Sequence, residues 1–85
     1  MLGGVHFDLN SLVILGLLLR TKSVTRTAQQ LGVSQPSVSR SLAQLRSLLG
    51  DPLLVRTAGG MELTRRAEEL AMLRAEFQEQ NERQR

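Results

Sequence analysis

The stretch from Ser23 to Gly50 most constrains the fold, because it predicts two helices joined by a three-residue turn. Ala28 lies four residues before Gly32, a spacing that lets two helices approach closely while the glycine adopts a left-handed turn conformation. Ser34 then fits the N-cap of a second helix, with Pro36 in its first turn. This arrangement is typical of a helix-turn-helix, whose second helix enters the DNA major groove. The sequence therefore predicts DNA binding.

Charge is distributed unevenly along the chain. Residues 1–66 carry eight Lys and Arg against three acidic residues, a balance of +5. Residues 67–85 carry three Arg against five Glu, a balance of −2. The basic first part suits contact with phosphates, and the acidic-leaning last part suits a solvated helix.

Composition argues against several other classes of protein. The chain has no Cys and a single His, so we expect no disulfide, no metal site and no other cofactor. The lack of Cys also suits a cytoplasmic protein. His6 lies near the N-terminus, the acidic residues are scattered, and no Gly-rich phosphate loop follows a strand. Because no acid–base set is present, we expect that the chain is not an enzyme.

The apolar run from Leu12 to Leu19 predicts a first helix and no membrane contact, because a membrane span needs about 20 apolar residues. A signal peptide would place Lys or Arg before this run, whereas the chain has none there. We expect a helix over residues 9–21 that follows an N-terminal extension at residues 1–8. Asp8 is its predicted N-cap.

One face of this first helix is expected to pack in the core. Leu12, Leu15 and Leu19 lie on one stripe, which the other apolar residues of the run widen until little of the helix is polar. A helix that apolar usually has a second partner. We expect the partner to be another protomer, with Leu17 as a contact.

The second and third helices are predicted over residues 24–31 and 35–49, and Ser23 is the N-cap of the former. The third helix should bury the stripe formed by Val38, Leu42, Leu45 and Leu49, and it should end at Gly50.

The opposite face of the third helix is small and polar, with one guanidinium. Gln suits bidentate contact with adenine and Arg suits guanine, and recognition helices usually meet bases near their N-terminal end. An ordinary solvated helix face is the alternative. The predicted base-contacting residues are Gln35, Pro36, Ser39 and Arg40.

Residues 51–64 predict a β-hairpin, or wing, after the third helix. The apolar run Leu53 to Val55 should be extended, Ala58 to Gly60 should turn, and Met61 to Leu63 should return as a second strand. Arg56 precedes the turn, where a cation meets the minor groove or a phosphate. The alternative for Arg56 is a loop arginine paired with Glu62 or with water.

Residues 8–70 resemble the N-terminal winged helix-turn-helix domain of LysR-type transcriptional regulators. The resemblance rests on the ordered run Ser-x-Thr-x-x-Ala, Leu-Gly-Val-Ser-Gln-Pro-Ser-Val-Ser-Arg, Leu-Arg, Leu-Gly-Asp-Pro-Leu and Val-Arg, followed by Leu63-Thr64. The opening and the wing are most similar to the subgroup of nodulation and naphthalene-pathway regulators. The implied fold is mainly α, with three helices, a short β-hairpin wing and a C-terminal linker helix.

The resemblance implies roles for particular residues. The residues that match Gln35, Pro36, Ser39 and Arg40 contact base edges in this family. Those that match Thr25, Ser34 and Ser37 often touch the DNA backbone, as Arg26 is also expected to do, and the one that matches Arg56 serves the wing. This chain has Gly59 where many members place a cation in the wing turn, which implies a weaker minor-groove contact.

Thr64 is the predicted N-cap of a last helix over residues 65–85, which follows the winged domain at residues 9–64. The family's linker helix pairs with its counterpart in a dimer and leads into an effector-binding domain, which these residues lack. Leu70, Leu73 and Phe77 have the spacing of a short dimer seam, although packing within their own domain is the alternative.

The expected partners are double-stranded DNA with a partly palindromic operator and a second copy of the chain. A small-molecule effector is expected only through the missing domain.

Two other functions remain open from the sequence. A winged helix also serves as a protein-interaction module, but such a surface has no need to exclude carboxylates from Leu9 to Gly50. Non-specific architectural DNA binding would need phosphate contacts but neither Gln35 nor Arg40.

Overall fold

The structure is a computed structural model that describes residues 9–83. Four helices and one antiparallel hairpin follow one another along the chain, as predicted for a mainly α winged fold. Their bounds are α1 Leu9–Thr21, α2 Val24–Leu31, α3 Gln35–Leu49, β1 Leu54–Thr57, β2 Gly60–Leu63 and α4 Arg65–Arg83. The predicted N-cap Asp8 lies outside the described residues.

Side-chain caps and left-handed glycines set the ends of α2 and α3, as predicted. The hydroxyl of Ser23 accepts the Arg26 N–H at 3.0 Å, and that of Ser34 accepts the Ser37 N–H at 3.3 Å. At the other ends, Gly32 has φ 68° and Gly50 has φ 63°. The helix-turn-helix therefore begins and ends where local chemistry dictates.

The core lies between the first three helices, the base of the wing and the start of α4. Val38 is fully buried, and Leu42 and Leu45 are buried beside it, which confirms the predicted inner stripe of α3. Leu49, the last residue of that stripe, is half-buried and packs against the cluster. Burial of an aliphatic side chain is worth about 1.5–3 kcal/mol, so this stripe fixes which face of α3 remains outside.

The face that α1 turns to the core follows the prediction at Leu15 and Leu19, but not at Leu12. Leu12 is 49% exposed, whereas Leu18 is 2% exposed and Leu19 is buried next to it. The expectation that Leu12 faces the core was therefore wrong. Because α1 is apolar on nearly all sides, its sequence period does not decide which face packs.

A polar contact buried between α1 and α2 was not anticipated. The Thr27 side chain is completely buried, and its hydroxyl lies 3.0 Å from the hydroxyl of Thr21. The Thr21 hydroxyl also accepts the Ser23 N–H at 3.1 Å. This pair satisfies the only hydroxyl that α2 buries, so the two helices join without an unpaired polar atom at Thr27.

The corner at residues 51–54 departs from the predicted extended run. Leu53 has φ 65° and is buried, and the Leu54 N–H donates to the Pro52 carbonyl at 2.6 Å. This is a three-residue turn, so β1 begins only at Leu54. A leucine in the left-handed region costs about 1–2 kcal/mol, and burial of its side chain offsets that cost.

The Asp51 carboxylate holds the corner in this conformation. Its Oδ2 accepts the Leu53 N–H at 2.8 Å and the Thr64 hydroxyl at 2.6 Å. The Thr64 N–H in turn donates to the Leu53 carbonyl at 2.9 Å. One of these hydrogen bonds closes the corner itself, and the other two join it to Thr64, the residue that precedes α4.

The hairpin register gives the wing two distinct faces. Leu54 pairs with Leu63 and Arg56 pairs with Met61, so these four residues share the inner face. The remaining pairs, which lie on the outer face, are Val55 with Glu62 and Thr57 with Gly60.

α4 begins at the predicted cap, since Thr64 Oγ1 accepts the Ala67 N–H at 3.1 Å. Ala67 is buried in the core, and Leu70 is half-buried against it. Farther along, Leu73 and Phe77 are 62% and 64% exposed. The predicted seam is thus divided: its first residue packs on its own domain and the next two remain outside.

Asp51→Asn should lower the stability of the domain at neutral pH. The Thr64 hydroxyl and the Leu53 N–H both donate to Asp51 and hold the pKa of its carboxyl below the ordinary value. Because the folded-state pKa is depressed, the ionised carboxylate stabilises the fold above the unfolded pKa of about 4, and this stabilisation is lost as pH falls through the folded value.

Urea unfolding of the wild type and of D51N from pH 7 to pH 2 measures this difference. The two free energies of unfolding should differ at pH 7 and converge in acid. Equal stability of the two proteins at pH 7 would contradict the role assigned to Asp51.

Candidate nucleic-acid interface

The outer face of α3 brings together the predicted base-contacting residues. Gln35, Pro36, Ser39 and Arg40 are all exposed in the first two turns of the helix, whereas Val38 among them is fully buried. Ala43 extends the same face by one turn and is also exposed. The face carries small side chains, an amide and a guanidinium, and no carboxylate, so it suits close approach to base edges.

The start of α3 is ordered by two serines. The Ser34 hydroxyl accepts the Ser37 N–H and lies 2.9 Å from the Ser37 hydroxyl. Ser34 is exposed and Ser37 is half-buried. These contacts fix the first turn of α3, which presents Gln35 and Pro36.

The first turn of α2 presents two further predicted residues, Thr25 and Arg26, both exposed. The Ser23 cap takes the N–H of Arg26 and leaves its guanidinium outside. A helix N-terminus with a cation beside it favours an anion such as a phosphate.

Arg56 lies on the inner face of the wing and not in an ion pair with Glu62. The hairpin register places these two side chains on opposite faces, and Glu62 instead accepts a hydrogen bond from the Thr57 hydroxyl. Arg56 is exposed. The alternative pairing considered from the sequence is therefore not formed.

A notch between α2 and the wing brings Arg56 close to the start of α2. We call it the α2–wing notch, and it is lined by Thr21, Lys22, Ser23, Val24, Thr25, Arg56 and Met61. Two of these residues are cationic and none is acidic. Lys22 has φ 56°, a left-handed backbone conformation that is usually adopted by glycine. The lining is electropositive and open to solvent.

Arg46 is a structural residue that the sequence reasoning counted only as a positive charge. Its Nε donates to the Pro52 carbonyl at 2.7 Å, and its Nη2 donates to the Leu54 carbonyl at 3.0 Å. It therefore fastens the end of α3 to the corner.

Asp51 was also missed as a structural residue, although a signal for it was present. An Asp that follows a helix-ending glycine and precedes Pro often accepts the backbone N–H two residues ahead, as Asp51 does from Leu53. No such local signal marks Thr27, whose partner Thr21 lies on another helix.

The described part of the chain lacks two further types of site. Residues 9–83 contain no cluster of three or more His, Cys, Asp or Glu side chains that would hold a metal ion. Over the same residues, no helix combines the length and the apolar character needed to cross a bilayer.

The family model for the bacterial regulatory helix-turn-helix protein, lysR family, matches residues 9–68. The chain belongs to this family. The match covers α1 to the first turn of α4, including the outer face of α3 and the wing, and it confirms the predicted winged helix-turn-helix. Membership in a family of transcriptional regulators also agrees with the prediction that the chain is not an enzyme.

Named relatives of this LysR-family domain are transcriptional regulators. It is 52% identical over 64 residues to the regulator LinR of Sphingobium indicum, which covers 75% of this chain and 21% of LinR. The activator NahR of Pseudomonas putida gives the same identity and the same coverage. The chain thus spans about a fifth of the length of each relative.

Solved structures share the fold. A probable transcriptional regulator of Pseudomonas aeruginosa aligns with a TM-score of 0.72 at 38% identity, over 81% of this chain and 23% of that one. The BenM DNA-binding domain, in a complex with catB site 1 DNA, aligns with a TM-score of 0.72 at 22% identity, over 92% and 88% of the two chains. The second likeness concerns the fold alone.

Arg46→Ala and Arg40→Ala should separate structural from interface arginines. Arg46→Ala leaves two carbonyls without their charged donor and should lower the free energy of unfolding by about 1–2 kcal/mol. Arg40→Ala removes an exposed side chain and should change it by less than about 0.5 kcal/mol. Urea unfolding of both variants tests the assignment, and equal losses would contradict it.

Proposed function

We propose that this domain binds double-stranded DNA in a sequence-specific manner, as the reading domain of a homodimeric transcriptional regulator. The observation that carries the proposal is the composition of the outer face of α3. An amide and a guanidinium are exposed there among small side chains, and the face carries no carboxylate. A regulator that acts on bacterial DNA works in the cytoplasm, and the domain itself needs no cofactor for this role.

Base reading is assigned to the first half of α3. Gln35 and Arg40 are the two side chains suited to bidentate contacts, with adenine and guanine respectively. Pro36 and Ser39 lie between them on the same exposed face and let the helix approach the groove floor. The buried stripe opposite them holds the face at a fixed orientation.

Backbone contact is assigned to the residues beside this face. Thr25 and Arg26 lie at the start of α2, and Ser34 and Ser37 lie at the start of α3, where the positive end of the helix dipole favours phosphate. Arg56 and Lys22 add two positive charges at the α2–wing notch. We place a DNA phosphate at this notch, since its lining includes two cations and no acid.

Dimerisation is assigned to α4 and α1. Leu73 and Phe77 present a large exposed apolar surface on α4, which a second copy would cover. Leu70 contributes at the edge of this surface because it is already half-buried in its own core. Leu17 of α1 is also half-buried and is the weaker candidate. A small-molecule effector would act through a part of a longer protein that these residues do not include.

Selection of bound duplexes from a randomised pool, at near-physiological salt, tests the proposed function. A dimeric reader should enrich an interrupted palindrome with half-sites about one helical turn apart. Binding without enrichment would support an architectural role instead, and a forced-dimer fusion would then test whether weak dimerisation is the cause. No binding would overturn the proposal in favour of a protein-interaction module.

Arg40→Ala and Arg26→Ala should differ in how they weaken binding. Loss of Arg40 should cost about 1–3 kcal/mol on the selected site and relax the preference at one base pair. Loss of Arg26 should weaken binding to all sequences alike and reduce the salt slope by about 1. Titration of both variants with selected and random duplexes distinguishes them. Equal losses on both duplexes for R40A would contradict base reading.

Leu73→Asp should weaken the dimer by at least about tenfold, because it places a charge in an apolar contact. Met72→Asp is the matched control: Met72 is equally exposed, but adjacent helix positions point about 100° apart, so it lies off the seam. Sedimentation equilibrium measures both variants. If L73D and M72D sediment alike, the assigned dimer face is wrong.

A further inference from the structure

The tip of the wing carries a carboxylate that its own turn holds in place. The Thr57 hydroxyl donates to Glu62, and it accepts the Gly59 N–H at 3.2 Å. It also lies 3.2 Å from the Gly60 carbonyl. A Cβ at Gly59 would stand 3.4 Å from the Glu62 Oε2 atom, so the carboxylate lies against the turn itself.

This negative charge is isolated within the basic part of the domain. Over residues 9–66 the sequence contains two carboxylates, Asp51 and Glu62. Asp51 is engaged by two donors at the base of the wing. Glu62 alone places negative charge on the hairpin, and it is exposed.

The wing is therefore polarised between its two faces. Arg56 is on the inner face, beside Lys22 and Thr25 in the α2–wing notch. Glu62 is on the outer face, at the turn that projects beyond the core. A phosphate would be attracted to the inner face and repelled from the tip.

From this arrangement we infer that Glu62 lowers the affinity of the domain for DNA of any sequence by repelling the phosphate backbone from the wing tip. The inference rests on the proposed function. DNA presents a phosphate charge about every 1.7 Å along its axis, so a fixed carboxylate at a contact point acts on all sequences equally. A lower non-specific affinity leaves discrimination to the base contacts of α3.

The charge of Glu62 is separable from its hydrogen bond. A glutamine at position 62 has a carbonyl oxygen that accepts the same hydrogen from Thr57, and the side chain has the same length. Glu62→Gln therefore removes the negative charge and keeps the tie to the turn. Thermal unfolding followed by circular dichroism checks that the variant is folded.

The test compares the wild-type 85-residue chain with Glu62→Gln, on a selected duplex and on a random duplex, by fluorescence anisotropy across a salt series. E62Q should bind both duplexes about threefold to tenfold more tightly at ~50 mM salt. The gap should narrow at ~0.3 M salt, where screening shortens the range of the repulsion. The matched control Glu76→Gln removes an exposed carboxylate from α4 and should change binding much less.

Three outcomes would overturn the inference while the proposed function stands. E62Q could bind no more tightly than the wild type, it could tighten on one duplex only, or E76Q could match its effect. Tightening on one duplex only would mean that Glu62 discriminates between sequences. An equal effect of E76Q would mean that the net charge of the domain, and not the position of Glu62, sets the affinity. Failure of the wild type to bind either duplex is a separate result, and it would overturn the proposed function together with this inference.

Discussion

The arrangement of the wing and α4 on the helix-turn-helix depends on one carboxylate. Asp51 accepts hydrogen bonds from the Leu53 N–H and the Thr64 hydroxyl, and so it closes the chain between the end of α3 and the start of α4. Arg46 acts on the same corner from α3 by donating to two of its carbonyls. Together they hold the backbone of Leu53 in a left-handed conformation, which residues with a Cβ seldom adopt. Burial of that side chain in the core is what the strained turn achieves.

The candidate interface and the core lie on different faces of the same helix, and they impose opposite demands on its residues. Val38 and Leu45 anchor α3 by burial, whereas Gln35 and Arg40 are exposed. Three features hold the backbone of this face in position: the Ser34 cap, the buried stripe of α3 and the Thr21–Thr27 contact between α1 and α2. The backbone of the proposed reading surface is therefore held by capping and packing contacts.

The sequence predicted those features that depend on neighbours in the chain. The bounds of the first three helices and the cap at Thr64 follow from local hydrogen bonds and glycine conformation, and the structure has them as predicted. The buried face of α1 was predicted only in part, correctly at Leu15 and Leu19 but not at Leu12, because an almost wholly apolar helix has no preferred side until its partners are known. The roles of Arg46 and Leu53 depend on where the chain returns after α3. The candidate site was predicted as a set of exposed residues, but the opposite orientations of Arg56 and Glu62 required the hairpin register.

The Thr64 hydroxyl has two partners, and this sharing has a consequence for the proposed dimer. It accepts the Ala67 N–H in the first turn of α4 while it donates to Asp51, so the same atom caps α4 and secures the base of the wing. In a dimer joined along α4, the separation of the two α3 helices then follows from the geometry of one hydroxyl in each subunit. The corner would thereby set the number of base pairs between the two half-sites, although none of its residues is assigned to base contact.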